Sequence, residues 1–162
     1  QHDKDKIAAL TPTKIKAAKN ITLKMAQQVH SSIQAFLDWQ KSTQFRARHT
    51  ELQLVSPTHR FGGTIDCVGL IGQKGRGKLV LFDWKTSKAL YSDYLCQIAA
   101  YGILYEEAYP KKPIREYHLV RFSKEGGDFN HHKFTDLSEA RQMFLLLRQA
   151  YDLVKMVEKR VK

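Results

Sequence analysis

Cysteine is scarce in this sequence. Among 162 residues only Cys67 and Cys96 are present, and no CxxC pair occurs. Because zinc and iron–sulfur centres are usually held by closely spaced cysteines, this scarcity argues against both, and against a disulfide scaffold. Two isolated thiols favour a reducing, intracellular compartment. We expect the cytoplasm of a bacterium or of a phage-infected host, and the mitochondrial matrix is the alternative.

Long apolar runs and acidic residues are also in short supply. No apolar run approaches the roughly 18 residues of a membrane-spanning helix, and no signal-peptide pattern opens the chain, so no membrane partner is expected. The 16 acidic residues are outnumbered by 27 Lys and Arg, which gives a net charge of +11. This balance favours a polyanionic partner, with nucleic acid ahead of a membrane surface. The alternative is a basic protein without such a partner.

The remaining composition and the periodicity predict one α/β domain. With 43% hydrophobic residues the chain can build a core, whereas the Lys-rich residues 1–20 carry few apolar anchors and are expected to be frayed. Residues 21–162 are therefore assigned to the folded domain. The predicted elements are a helix at 22–40, strands at 51–55, 61–71 and 78–86, a helix at 93–109, strands at 116–122 and 128–134, and a last helix. Asp136 and Glu139 resemble a capping box that opens this last helix. Its apolar residues are predicted to face inward: Ala140, Met143, Phe144, Leu147, Tyr151 and Val154.

One motif is rejected on its context. Gly72 to Lys78 matches the phosphate-loop pattern G-x-x-x-x-G-K. That motif needs a Ser or Thr next, to hold Mg²⁺, and then a helix whose N-terminus receives the phosphates. Here Leu79 follows and a strand begins, so no nucleotide cofactor is expected. The segment is instead predicted to be a basic hairpin tip whose Lys74, Arg76 and Lys78 contact a phosphate backbone.

The stretch LVLFDWKTSK, residues 79–88, carries the strongest chemical signal. An apolar strand runs directly into Asp83 and Lys85, whose side chains share one face because strand residues alternate. Asp66 lies on the preceding strand, so a hairpin would bring both aspartates to that face. Two such carboxylates repel each other unless a cation lies between them, and hard oxygen ligands suit Mg²⁺ or Mn²⁺. Lys85 could then hold or deprotonate a water; the alternative is two surface acids and an ordinary ion pair.

Three short motifs, in this order, resemble the PD-(D/E)XK nuclease superfamily, specifically its RecB-like exonuclease branch. GTID (63–66) is similar to the first acidic motif of that branch, DWK (83–85) to its D-x-K motif, and QIAAY (97–101) to its Q-x-x-x-Y motif. Within the branch, the stretch from GTIDCVG (63–69) through DWKTS (83–87) is also similar to the mitochondrial genome-maintenance exonucleases. The resemblance implies a single restriction-endonuclease-like domain, with a central mixed sheet flanked by helices, over about residues 22–160.

The resemblance also implies roles for individual residues. The implied metal ligands are Asp66, Asp83 and the carbonyl of Trp84, with Asp66, Asp83 and Lys85 forming the catalytic set. Gln97 and Tyr101 are implied to position Lys85 and the DNA strand. Their i and i+4 spacing on the predicted helix makes them neighbours on one face. For Tyr101 the alternative is core packing, because it borders an apolar stripe.

Two further residues near the implied site are less strongly marked. In the RecB-like branch a His of the first helix binds metal, and VHSSIQAF resembles that context, so His30 is a predicted ligand. The alternative is a hydrogen-bonded His at the edge of an apolar helix face. Glu51 matches an acid that precedes G-x-x-D in relatives, and it is expected to support the ligands without touching the metal. His131 and His132 are predicted to contact solvent or phosphate.

The implied function is a Mg²⁺- or Mn²⁺-dependent deoxyribonuclease that hydrolyses phosphodiester bonds, acting as an exonuclease on free or single-stranded ends in DNA repair or recombination. One alternative is an endonuclease that nicks or resolves structured DNA. An alternative of another class is a DNA-binding module that has lost cleavage, although the intact Asp66, Asp83, Lys85 and Gln97 disfavour it. Some relatives use four cysteines for an iron–sulfur cluster, which this chain does not have. Protein partners that would select the substrate stay open.

Overall fold

The computed structural model describes residues 11–19, 21–74, 76–87, 89–122 and 129–161. In this part of the chain, the helices and strands follow the predicted order, and one short helix precedes them. The elements are α1 (Pro12–Lys19), α2 (Leu23–Thr43), β1 (Arg46–Ser56), β2 (Phe61–Ile71), β3 (Lys78–Lys85), α3 (Ser92–Ala108), β4 (Glu116–Phe122), β5 (Phe129–Phe134) and α4 (Ser138–Glu158).

The strands form one mixed sheet in the order β1-β2-β3-β4-β5. β1, β2 and β3 are an antiparallel meander, β3 and β4 are parallel, and β5 returns antiparallel to β4. Parallel neighbours need a crossover connection, and α3 supplies it. The predicted α/β class with a mixed sheet flanked by helices is thus confirmed, and the arrangement is consistent with a restriction-endonuclease-like fold.

The sheet separates two hydrophobic clusters. Successive residues of β3 point to opposite faces, so Leu81 belongs to the cluster around α3, whereas Val80 and Phe82 belong to the cluster around Trp39 of α2. Burying a side chain of this size stabilises the fold by about 1.5–3 kcal/mol. Both flanking helices are therefore fixed to the sheet by the central strand that also ends in Asp83 and Lys85.

Local signals set the ends of α2 and α3. Thr22 is the N-cap of α2, and its hydroxyl accepts a hydrogen bond from the Met25 N–H at 3.2 Å. At the other end, Gln44 has φ 53°, the left-handed conformation that commonly closes a helix. α3 ends before Pro110, because the residue preceding a proline is biased away from helical geometry. No helix among the described residues is long and apolar enough to cross a bilayer.

The N-terminal segment contains one short helix where it is described. Pro12–Lys19 forms α1, which packs against α2, and Ile15 is 7% exposed. The expectation of a frayed start stays a prediction, with Ile15 as the apolar anchor of α1. Residues 1–10 and the turn predicted at Gly126 and Gly127 lie outside the described residues.

The start of α4 departs from the predicted capping box. The helix begins at Ser138, and Leu137 occupies the N-cap position without a side-chain hydrogen bond. Asp136 accepts hydrogen bonds from both the N–H and the hydroxyl of Ser138, each at 2.9 Å. Glu139 lies in the first turn but does not reach back to a capping residue; instead the Ser138 hydroxyl donates to its carboxylate at 3.3 Å. Asp136 thus closes a tight turn before the helix instead of capping it.

The apolar residues of α4 are mostly exposed, contrary to the prediction that they face inward. Phe144 packs edge-on against Phe61 with 4.7 Å between ring centroids, and Ala140 contacts the cluster around α3. The exposed ones are Met143, Leu147, Tyr151 and Val154, at 45–57%. The helical period correctly identifies an apolar stripe, but among the described residues only its beginning is covered.

A chain of polar contacts links α2 to β4 and β5 through two histidines. The Trp39 indole N–H donates to His131 Nδ1 at 3.0 Å, and His131 Nε2 lies 2.6 Å from His118 Nδ1. His118 Nε2 lies 3.4 Å from Glu116, close but without hydrogen-bond geometry. Glu116 accepts from Lys78 Nζ at 2.7 Å. The prediction that His131 contacts solvent or phosphate is therefore wrong, because its ring is packed against α2 and β4.

The contacts assign the protons of this histidine pair. Since His131 Nδ1 accepts from Trp39, the neutral ring carries its proton on Nε2 and donates it to His118 Nδ1. Burial, followed by the facing His131, lowers the pKa of His118 to about 4. Burial also lowers the pKa of His131. The pair is therefore neutral at pH 7, and protonating it requires breaking the contact between α2 and the sheet.

We predict that His118→Gln reduces the loss of unfolding free energy at acidic pH. A folded pKa near 4, below the unfolded value of about 6.5, means that the stability present above pH 6.5 is lost as the pH falls toward 4. Urea unfolding at pH 7.5 and pH 5 should therefore show the wild type losing about 2 kcal/mol more than the variant. His132→Gln, an exposed neighbour, is the control. Equal losses in wild type and His118→Gln would contradict the assigned protonation.

Candidate active site

The candidate site lies at the C-terminal end of β3. Asp83 is 1% exposed, and its Oδ2 lies 2.5 Å from Lys85 Nζ on the same face of the strand. β2 continues past this point, since Cys67 pairs with Phe82 and the register places Asp66 opposite Asp83. The sequence prediction that the hairpin brings Asp66, Asp83 and Lys85 together is thus seen in the structure.

Asp66 holds the backbone of the strand next to it. Its Oδ2 accepts a hydrogen bond from the Trp84 N–H at 2.8 Å. The regular β2–β3 ladder ends at the Cys67–Phe82 pair, so this side-chain bond satisfies a backbone donor where the two strands separate. The ring of Trp84 stacks on Phe82 at 5.5 Å and lies in the cluster on the α2 side. Asp66 is thereby fixed while one carboxylate oxygen stays outside this bond.

Lys85 is positioned by α3. Its Nζ donates to Gln97 Oε1 at 2.6 Å, and Gln97 Nε2 donates to the Tyr101 hydroxyl at 2.8 Å. The ammonium also lies 4.8 Å from the ring centre of Tyr94, a cation–π distance. The i and i+4 neighbours predicted from QIAAY therefore form a relay behind Lys85. Tyr94, one turn earlier on α3, was not singled out from the sequence because an aromatic residue in an apolar stripe gives no separate signal.

Tyr101 serves the core and the site together. Its ring lies against Gly63, where an added Cβ would approach within 3.0 Å of the ring, so a side chain at 63 would displace it. Burial raises the pKa of its hydroxyl, and the carboxylates of Asp83, Asp66 and Glu51 act in the same direction. The hydroxyl is therefore protonated at neutral pH. Both sequence readings of Tyr101, core packing and positioning, describe the same ring.

Burial makes Asp83 an unusual carboxylate. Desolvation raises its pKa to about 6, against the lowering influence of Lys85, and the neighbouring Asp66 adds to the rise. Oδ2 has Lys85 Nζ beside it at 2.5 Å in a short ion pair, and no other hydrogen-bond donor of the described residues reaches it. A buried oxygen in this condition carries a desolvation cost.

These donors fit a divalent cation in chemical type. Two carboxylates from Asp66 and Asp83 converge, and Lys85 is the only cation beside the buried oxygen of Asp83 among the described residues. Hard cations prefer carboxylate oxygens. The described residues contain no group of three or more His, Cys, Asp and Glu side chains arranged to hold a metal. His30 is half-buried on α2 and is not gathered with the two aspartates. Its role as a ligand stays a prediction.

Glu51 occupies a distorted position on β1. Thr50 pairs with Cys67 and Leu52 with Ile65, which places Glu51 opposite Asp66. Its φ is 51°, a left-handed value that costs a residue with a Cβ on the order of 1 kcal/mol or more. Glu51 is exposed and close enough to raise the pKa of Tyr101. It thus lies beside the site, as expected, and its supporting role stays a prediction.

The basic hairpin tip lies at the other end of β3. Lys74 and Arg76 are exposed in the β2–β3 connection, and Lys78 begins the strand that ends in Lys85. Seven residues of extended strand separate Lys78 and Lys85 by roughly 23 Å. The side chain of Lys78 is already paired with Glu116 at 2.7 Å. The structure therefore does not bring Lys74, Arg76 and Lys78 to the candidate site.

Comparisons with known proteins provide no family assignment. No protein-family model matches the chain, and no curated protein matches it. Among solved structures, one from Eubacterium rectale, named Putative exonuclease, is similar with a TM-score of 0.47 and 12% identity, over 79% of this chain and 50% of that one. The structure of SSO0001 gives a TM-score of 0.42 and 13% identity, over 90% of this chain and 70% of that one. This chain thus spans half the length of the first. Similarities this weak do not determine a function.

We predict that Asp83→Asn changes the pH dependence of stability in the opposite direction to His118→Gln. A folded pKa near 6, above the unfolded value of 3.8, means that stability is lost as the pH rises from about 4 through 6. The difference in unfolding free energy between the variant and wild type, measured with urea and without added metal, should therefore shift by about 2 kcal/mol in favour of the variant from pH 4.5 to pH 7.5. Asp93→Asn, at the exposed start of α3, is the matched control. A difference that does not change with pH would show that Asp83 is not desolvated.

Proposed function

We propose that this protein is a metal-dependent nuclease that hydrolyses phosphodiester bonds in DNA. The observation that carries the proposal is the buried Asp83 beside Asp66 and Lys85, with Lys85 held by Gln97. A surface ion pair would not need burial, a second carboxylate and a relay from α3. Within one strand hairpin, two carboxylates would bind a metal ion and one lysine would act on the attacking water, as phosphodiester hydrolysis requires.

The proposed roles follow from the position of each group. Asp66, Asp83 and the Trp84 carbonyl would hold Mg²⁺ or Mn²⁺, which when bound polarises a phosphoryl oxygen and lowers the pKa of a coordinated water. Lys85 would hold or deprotonate the attacking water and offset negative charge as it develops on the phosphate. Gln97 keeps the ammonium of Lys85 in place by accepting a hydrogen bond from it, and Tyr101 keeps Gln97 oriented by accepting a hydrogen bond from its amide.

DNA is the proposed substrate because the chain carries a net charge of +11 and its site contains the D-x-K arrangement. We further propose action on free or single-stranded ends, in repair or recombination, on the strength of the sequence motifs alone. An endonuclease that uses the same groups is the second candidate. A DNA-binding module without cleavage is the third, and the intact set of Asp66, Asp83, Lys85 and Gln97 disfavours it.

The first test separates the three candidates. Purified protein with Mg²⁺ or Mn²⁺ should degrade linear DNA and spare closed circles. Asp83→Ala should slow cleavage on the order of 100-fold or more, since it removes a proposed ligand, while leaving DNA binding equal or stronger. Lys155→Met, an exposed lysine of α4, is the control. Loss of circular DNA would favour the endonuclease, and binding without cleavage would favour the third candidate.

We predict that Lys85→Met removes activity but preserves metal binding. A protonated lysine cannot be a ligand, so its loss should cut the cleavage rate by about 10²-fold or more while Mn²⁺ affinity by calorimetry stays within a few-fold. Asp66→Ala should lose both. If Lys85→Met also abolishes Mn²⁺ binding while its melting temperature is unchanged, the division of roles between ligand and base is wrong. The same calorimetry on His30→Ala tests the predicted fourth ligand.

A further inference from the structure

A polar cavity lies where the β1–β2 turn meets α4, away from the candidate active site. It has a volume of about 210 Å³ and is lined by Thr58, His59, Arg60, Leu145, Arg148, Gln149 and Asp152. The space equals that of several water molecules, and most of its lining can donate hydrogen bonds. None of these residues belongs to the candidate active site or to the sequence motifs that predict it.

Two arginines in this cavity share one carboxylate. Arg148 Nη2 lies 2.6 Å from one oxygen of Asp152, and Arg60 Nη2 pairs with the other oxygen. Arg148 Nε also donates to the backbone carbonyl of Arg60 at 3.1 Å. Two guanidinium groups against one carboxylate leave one uncompensated positive charge at the cavity.

One donor of the cluster makes no hydrogen bond. Arg148 Nη1 is buried without a hydrogen bond among the described residues, although the guanidinium lies 5.1 Å from the ring centre of Tyr151. An unsatisfied N–H on a charged group is costly, and in a folded protein such a group usually serves a ligand or another functional requirement. The side chain of Arg148 is 17% exposed, so bulk water reaches it poorly, whereas that of Arg60 is 72% exposed and can rearrange.

The β1–β2 turn that carries Arg60 has a strained backbone and is held in place by α3. Arg60 has φ 54°, a left-handed value that is unfavourable for a residue with a Cβ. The turn is held from the other side by Glu107 of α3, which accepts from the hydroxyls of Ser56 at 2.5 Å and Thr58 at 2.8 Å. The carboxylate of Glu107 keeps its charge while it holds the turn, but it makes no ion pair with Arg60 or Arg148 among the described residues.

The cavity lies next to the start of β2, the strand that also carries Asp66. Arg60 precedes Asp66 by six residues of β2, about 20 Å along an extended strand. α3 touches both places, through Gln97 and Tyr101 near its start and through Glu107 near its end. A stacked nucleic-acid strand advances about 3.4 Å per nucleotide, so 20 Å corresponds to about six nucleotides, and to fewer in an extended strand.

We propose that the cavity between Arg60 and Arg148 binds a phosphate group of a nucleic-acid strand whose scissile bond lies at Asp66 and Asp83. Phosphate oxygens match the fork of guanidinium donors, and a phosphodiester carries the single negative charge that the cluster lacks. Asp152 occupies the donors when no phosphate is bound and is displaced from Arg60 when one arrives. This inference rests on the proposed nuclease function for the identity of the strand, but the binding of phosphate does not depend on cleavage.

The test uses substitutions that retain shape. Binding of fluorescent 12-nucleotide strands is measured in EDTA, where cleavage is absent, for wild type, Arg60→Gln, Asp152→Asn and Arg141→Gln. Arg141 is the matched control, since it also lies on α4 and is paired, with Glu106, but outside the cavity. Arg60→Gln should weaken binding about three- to tenfold and reduce the log–log salt slope by about 0.7. Asp152→Asn should tighten binding several-fold, and Arg141→Gln should change it less than twofold.

The chemistry of the strand's end identifies the phosphate. If Arg60→Gln loses the same affinity for strands with and without a terminal phosphate, the cavity binds an internal phosphodiester. If it loses affinity only for strands with a terminal phosphate, the cavity binds a terminal phosphomonoester. Either result supports the cavity as a phosphate site.

Two results would overturn the proposal. Arg60→Gln and Arg141→Gln having the same effect would show that only net charge matters. Asp152→Asn lowering the melting temperature with unchanged affinity would show that the cluster is structural. Neither result depends on cleavage, so a wild-type protein that digests DNA with these outcomes would keep its proposed function. Cleavage failing while Asp152→Asn tightens binding would instead refute the nuclease function and support the cavity.

Discussion

The burial of the Asp83 carboxylate is the constraint on which the rest of this structure depends. A carboxylate removed from water at the end of the central strand requires compensation, and Lys85 provides only part of it, since the pKa of Asp83 still rises to about 6. Asp66 increases the cost because its charge has the same sign. The arrangement is therefore unstable in electrostatic terms and stable only through packing, with β3 fixed on both faces by hydrophobic clusters.

The two helices on either side of the sheet have different tasks. α3 lies on the face of Asp83 and orients Lys85 through Gln97, so its position sets the geometry of the candidate site. α2 lies on the other face and is attached by aromatic packing and by the bond from Trp39 to His131. The polar contacts of α2 lead to Glu116 and Lys78, away from the aspartates. Changes at His118 and His131 can thus alter stability without touching the groups proposed for the chemistry, whereas Asp83 contributes to both.

Sequence reasoning succeeded where a local pattern determines the outcome. The strand bounds of β2 and β4 match the predicted ranges, and the pairing of Asp66 with Asp83 follows from strand alternation and a short hairpin. It failed where a partner distant in sequence decides: His131 is 92 residues from Trp39, and no local signal marks that contact. α4 failed for a related reason, because helical periodicity identifies an apolar face but not the element that covers it. The Arg60–Asp152 pair, also 92 residues apart, was equally invisible.

The distribution of charge, more than its total, bears on how a polyanion would reach the site. The net charge of +11 attracts a nucleic acid over a range of about 10 Å at moderate salt. Yet Glu51, Asp66 and Asp83 gather at the end of β3 with Lys85 as the neighbouring cation, so without a divalent cation a phosphate there meets net negative charge. A bound cation would reverse that local sign. On the proposed function, the same carboxylates that would hold the metal therefore make close approach of the phosphate depend on it, while contacts farther along the surface need no metal. Binding of the strand and presentation of the scissile phosphate are consequently two separable steps.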